Sequence, residues 1–83
     1  MPQLSIVCKR RLTAALTSIK TNKLSKHFNK DELACYETAK ELDSKLTPKI
    51  MTIDMDVNKY TKLQSNLLNH TNSLEDLVRK YNN

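Results

Sequence analysis

The 83 residues contain no glycine and no tryptophan, and only four aromatic side chains: Phe28, Tyr36, Tyr60 and Tyr81. The missing glycine bears on fold class. Two-residue hairpin turns need positive φ, which glycine supplies without steric cost. A chain without it makes few such turns, and β-hairpins are disfavoured. A phosphate-cradling glycine loop is excluded outright. No apolar run approaches the roughly 18 residues of a membrane span, and the first residues lack the apolar stretch of a signal peptide. The expectation is an intracellular protein, nuclear or cytoplasmic, with no membrane partner. Asn69-His70-Thr71 matches a glycosylation sequon and is read as chance.

Cysteine is scarce too. Cys8 and Cys35 form neither a disulfide framework nor a zinc pattern and read as small core or boundary residues. His27 and His70 stand far apart, with no nucleophile or carboxylate at a catalytic spacing. Asp54 and Asp56 flank Met55, so on a helix they point about 200° apart and form no carboxylate pair. No EF-hand loop is present. The sequence predicts no enzyme, no metal and no cofactor. Single substitutions of either histidine or either cysteine by residues of similar size are expected to leave function intact.

One sign of charge is missing from one region. Residues 1–30 hold seven basic side chains (Lys9, Arg10, Arg11, Lys20, Lys23, Lys26 and Lys30) and no acid. Residues 31–83 hold seven basic and nine acidic ones, a net of −2, within a total of +5. Three readings fit: a footprint for nucleic acid or an acidic partner, a mitochondrial targeting segment, or a solvated helix face. Against nucleic acid, helix 1 has no aromatic residue for stacking on single strands, and no helix-turn-helix or zinc pattern is visible. Lys9, Arg10 and Arg11 lie off the apolar stripe, so reversing their charge is expected to leave folding unchanged.

What the chain does have is leucine, twelve in all, at helical spacings. A first helix over about 3–20 carries Leu4, Cys8, Leu12, Ala15 and Ile19 on one face, widened by Val7 and Leu16. The polar run "KTNKLSKHFN" interrupts, with Leu24 and Phe28 as docking plugs. A second helix over about 30–45 starts with Asn29 and Glu32 in capping-box spacing and Asp31 in its first turn. Its stripe is Leu33, Tyr36, Ala39, Leu42 and Leu46. It stops before Pro48, since the residue preceding proline is disfavoured in the α region. Thr47 then caps a third helix with Pro48 at its first position.

That third helix is expected to span 48–81. Ile50, Val57, Gln64, Thr71 and Val78 take heptad positions a; Ile53, Tyr60, Leu67, Leu74 and Tyr81 take d. Ser73 and Asp76 leave open a break near Thr71-Asn72. At about 1.5 Å per residue this helix is about 50 Å long and the other two about 25 Å each. Two short helices cover only half of it. The sequence thus predicts an all-α, three-helix fold in a single domain over 1–83, with 63–81 as a partner-binding extension. Leu63, Gln64, Leu67, Leu68, Thr71, Leu74, Leu77, Val78 and Tyr81 are the expected contacts with another protein chain, in a hetero- or homo-oligomer. Gln64 and Thr71, polar within the seam, either tilt to solvent or set register and partner choice.

The expected function is that of a non-enzymatic helical subunit or adaptor, with a small basic nucleic-acid-binding protein as the alternative. Two short patterns resemble kinase targets, Arg10-Arg11-Leu12-Thr13 and Thr47-Pro48. Both also arise by chance.

Overall fold

Each helix begins where the sequence supplies a side-chain acceptor for otherwise unpaired backbone N–H groups. The computed structural model describes residues 3–82. Helix α1 spans Ile6–Thr21, and the Ser5 hydroxyl accepts from the Cys8 N–H at 3.1 Å. Helix α2 spans Lys30–Lys45 behind a complete capping box. The Glu32 N–H reaches the Asn29 side chain at 2.8 Å, and the Asn29 N–H reaches the Glu32 carboxylate at 3.0 Å. A single turn, α3, spans Pro48–Met51 with Thr47 as its cap. Helix α4 spans Val57–Tyr81, and the Asp56 carboxylate accepts from the Lys59 N–H at 2.8 Å.

Between α1 and α2, Lys23 adopts φ 54°, and a 3₁₀ turn over Leu24–His27 follows. The left-handed conformation costs a non-glycine residue about 1–2 kcal/mol. Its return is placement: Leu24 enters the core. Phe28 meets Tyr36 edge-on and lies 5.4 Å from Tyr81, so aromatic rings close this end of the bundle.

The hydrogen bonds fix helix directions. Ser5 meets Gln64, Cys8 meets Thr71 and Arg11 meets Glu75, so α1 and α4 run parallel. Glu32 at the start of α2 meets Tyr81 at the end of α4, and Lys9 meets Asp43, so α2 runs against both. The fold is an all-α, up-down-up three-helix arrangement with no strand among the described residues. Its core contains Leu12, Ile19, Ala39, Leu67 and Leu74, with Leu4, Leu24, Leu46, Met51 and Met55 closing the ends.

Two expectations need correction. The helix expected over 48–81 is two helices, interrupted over 52–56. Asp56 supplies a competent N-cap, and the break turns the chain so that Met51 and Met55 enter the core, at 3% and 5% exposure. Ile50, Ile53 and Val57, the expected seam, stay exposed. No break occurs at Thr71-Asn72, where α4 is continuous. Leu33, expected on the stripe of α2, is also exposed.

The second correction concerns coverage. Residues 63–81 do not extend beyond the bundle. Leu67, Thr71 and Leu74 are 0% exposed, buried by the chain's own α1 and α2. The reason is the parallel alignment that pairs Ser5 with Gln64 and carries α1 along the later part of α4. The uncovered half of the seam is the first one, where Val57 is 67% exposed.

Candidate interaction surface

The two polar seam positions have partners within the chain. Gln64 Oε1 accepts from the Ser5 N–H at 3.0 Å, at the residue that caps α1. The Thr71 hydroxyl donates to the Leu67 carbonyl at 2.7 Å and receives Cys8 Sγ at 3.6 Å. Both positions therefore set the register of α1 on α4. No buried side-chain nitrogen or oxygen among the described residues lacks a hydrogen-bond partner.

Of the nine residues expected to contact a partner, Leu67, Thr71, Leu74 and Leu77 belong to the core, while Leu63, Gln64, Val78 and Tyr81 are half-buried at its margin. Leu68 alone of the nine is exposed, at 41%. The seam read from the sequence is thus mostly internal.

The far end of α4 carries a polar clasp. The Tyr81 hydroxyl donates to Glu32 at 2.5 Å and Lys80 Nζ donates at 3.0 Å, while the Asn29 N–H occupies the same carboxylate. The hydrogen bond from Tyr81, then those from Asn29 and Lys80, hold the Glu32 carboxyl down at about 2. The Tyr81 phenol is raised, mainly by donating to Glu32. A carboxyl whose folded value lies below its ordinary 4.5 contributes stability that is present above that range and lost as pH falls towards about 2. The thermal midpoint of the wild type should therefore drop more steeply between these two pH values than that of Glu32→Gln. Glutamine keeps the capping geometry but does not titrate. Parallel pH profiles for the two proteins would refute the clasp.

The basic residues divide into two sets. Lys9 pairs with Asp43, which also accepts from Thr13. Arg11 pairs with Glu75 at 2.6 Å and reaches Asn72. The bond with Arg11 lowers the Glu75 carboxyl and raises the guanidinium. Arg10, Lys20, Lys23, Lys26 and Lys30 are exposed and make no ion pair among the described residues. Lys9 and Arg11, which the sequence places off the apolar stripe, each join α1 to a neighbouring helix through an ion pair.

The remaining chemistry-bearing side chains are occupied locally. Cys8 is buried and Cys35 half-buried, both as thiols. His27 stacks on Tyr81, and His70 Nδ1 lies 2.8 Å from the Asn66 carbonyl. Among the described residues, no group of three or more histidine, cysteine or acidic side chains is placed to hold a metal ion. No described helix is long and apolar enough to cross a membrane.

What the bundle leaves open is an apolar end. Ile6 and Val7 at the start of α1, Ile50 and Ile53 around α3, and Val57 at the start of α4 are all exposed. A hydrogen bond of 2.9 Å from Gln3 to Asp54 ties the segment before α1 to the α3–α4 connection. Beside them lies a groove of ≈ 520 Å³. One wall is a stripe of α1 formed by Ile6, Lys9, Arg10, Thr13 and Ala14; the other is the α2–α3 connection with α3 itself, through Leu46, Pro48, Met51 and Thr52. Of these, only Lys9 and Arg10 are candidate contacts in the sequence; Leu46, Pro48 and Thr13 stand out there for other reasons, and Ile6, Ala14, Met51 and Thr52 do not stand out. Ile6 and Ala14 lie eight residues apart on a second face of α1, a weak signal beside the leucine stripe. Ile50 and Ile53 fit the heptad and so read as part of the seam.

The chain matches no family model, no curated protein and no solved structure.

Proposed function

We propose that this protein is a non-enzymatic helical subunit or adaptor that binds another protein chain. The contact surface is the apolar end of the bundle. The observation that carries this reading is the exposure of Ile6, Val7, Ile50, Ile53 and Val57 around one end, beside a groove with apolar walls. A small bundle with a limited core gains by burying such side chains, each worth about 1.5–3 kcal/mol when fully buried. Five exposed apolar side chains gathered at one end of a small bundle make that end the candidate contact surface.

The test is capture from the native source with wild type and with Ile53→Lys/Val57→Lys, quantified by mass spectrometry. Both positions are exposed, so the double variant should keep the wild-type thermal midpoint. Partners held by wild type should fall at least about tenfold on the variant, while Leu33→Lys, away from this end, retains them. Equal capture by all three proteins would defeat the reading.

Nucleic-acid binding has one observation in its favour: Lys20, Lys23, Lys26 and Lys30 cluster around the α1–α2 connection without ion pairs among the described residues. Phosphate-driven retention falls steeply with salt, whereas apolar docking does not. Absence of retention on DNA or RNA at low salt would remove this alternative.

A further inference from the structure

We infer that the groove between α1 and the α2–α3 connection takes an acidic amphipathic helix of a partner chain. The inference rests on the interaction reading and adds the chemistry of what is bound.

Shape is the first argument. The α1 wall runs from Ile6 to Ala14 with lining residues at every third or fourth position. That stripe is about 12 Å long, the rise of two helical turns. Ala14, at one end of it, has a side chain small enough to let a second helix approach closely. Leu46 and Met51, nearly fully buried, make an apolar base, and Ile6 and Pro48 stand at the edges. A helix presenting apolar side chains at i, i+3 or i+4, and i+7 matches such a trough.

Charge is the second argument, and it selects among amphipathic helices. No acidic residue lines the groove; its two charged residues, Lys9 and Arg10, are both basic. Lys9 is compensated by Asp43 from α2, whereas Arg10 has no ion-pair partner among the described residues. Lys45 and Lys49, exposed and likewise without ion pairs among the described residues, flank the α2–α3 connection that forms the opposite wall. The one lining charge without a partner is thus that of Arg10, and Lys49 adds a second beside Pro48 on the opposite wall; the acids nearby, Asp43 and Asp54, are held by Lys9 and Thr13 and by Gln3 respectively. Carboxylates bordering the apolar stripe of an incoming helix would meet Arg10 on one wall and Lys49 on the other. Charge complementarity of this kind sets partner choice and association rate more than raw affinity. A basic helix with the same apolar stripe would be rejected by the same residues.

The experiment is an amide chemical-shift titration of the full chain with two synthetic helical peptides. Both carry the same leucine stripe; one has glutamate at every flanking position and the other lysine. The acidic peptide should shift Ile6, Thr13, Ala14 and Thr52 and bind at least about tenfold more tightly than the basic one. Arg10→Glu/Lys49→Glu should remove or invert that preference. Ala14→Trp, which fills the trough from an exposed position, should abolish binding with the fold intact. Equal binding of both peptides, shifts confined to other surfaces, or indifference to these substitutions would overturn the inference. So would concentration-dependent shifts of the groove without peptide, which would make a second copy the occupant. If capture depends on Ile53 and Val57 but the acidic peptide leaves the groove untouched, the interaction reading stands and this inference falls.

Discussion

Leu67→Asp combined with Leu74→Asp is expected to unfold the chain. Both side chains are fully buried between helices of the same molecule. Truncating one such leucine to alanine costs about 2–5 kcal/mol. Aspartate adds the desolvation of a charge or the neutralisation of the carboxyl. A domain of this size has a total stability of about 4–12 kcal/mol, from roughly 0.05–0.15 kcal/mol per residue. Two such truncations alone remove about 4–10 kcal/mol, and the buried charges add to that. Far-UV circular dichroism should show loss of helix and no cooperative urea transition. Leu68→Asp, one position away but exposed, should cost less than about 1 kcal/mol. A helical, cooperatively folding double variant that had lost only its ability to associate would restore the seam as an interface between chains.

Lys9→Glu combined with Arg11→Glu should destabilise the bundle, against what their distance from the apolar stripe suggests. Lys9→Glu alone should cost about 1–2 kcal/mol, since it removes a partly buried pair and sets a carboxylate against Asp43. Adding Arg11→Glu sets a second carboxylate against Glu75 and lowers the urea midpoint further. Restoring opposite signs with Asp43→Lys and Glu75→Arg should recover most of the loss. A reversal variant with a wild-type midpoint would show that these pairs do not hold α1 to its neighbours.

Local signals were the legible part of this fold. Asn29 with Glu32, and Thr47 before Pro48, marked helix starts because capping depends on neighbours in sequence. The apolar stripe of α1 was legible for the same reason, since a helix has one period. The interruption over 52–56 was hidden by coincidence of register. Ile50, Ile53 and Val57 continue the heptad that Tyr60 and Leu67 follow, so periodicity alone does not reveal that Asp56 starts a new helix. Met51 and Met55 reach the core only through the turn that this break creates. The candidate surface was illegible for a deeper reason. Which half of α4 lies bare depends on the sixty-residue offset between α1 and α4, and no local pattern carries that offset. The groove combines a second face of α1 with a connection some forty residues later.

The parallel pairing of α1 with α4 also governs the order of events during folding. Ser5, Cys8 and Arg11 find their partners 59–64 residues away, across most of the chain. A helical bundle built from adjacent hairpins closes short loops and folds fast; one whose main interface joins distant segments has a higher contact order and folds more slowly. On the ribosome, at about 5–20 residues per second, the apolar face of α1 waits roughly 3–12 s for α4 to be made. During that interval α2 is the one long helix already made that can shield it.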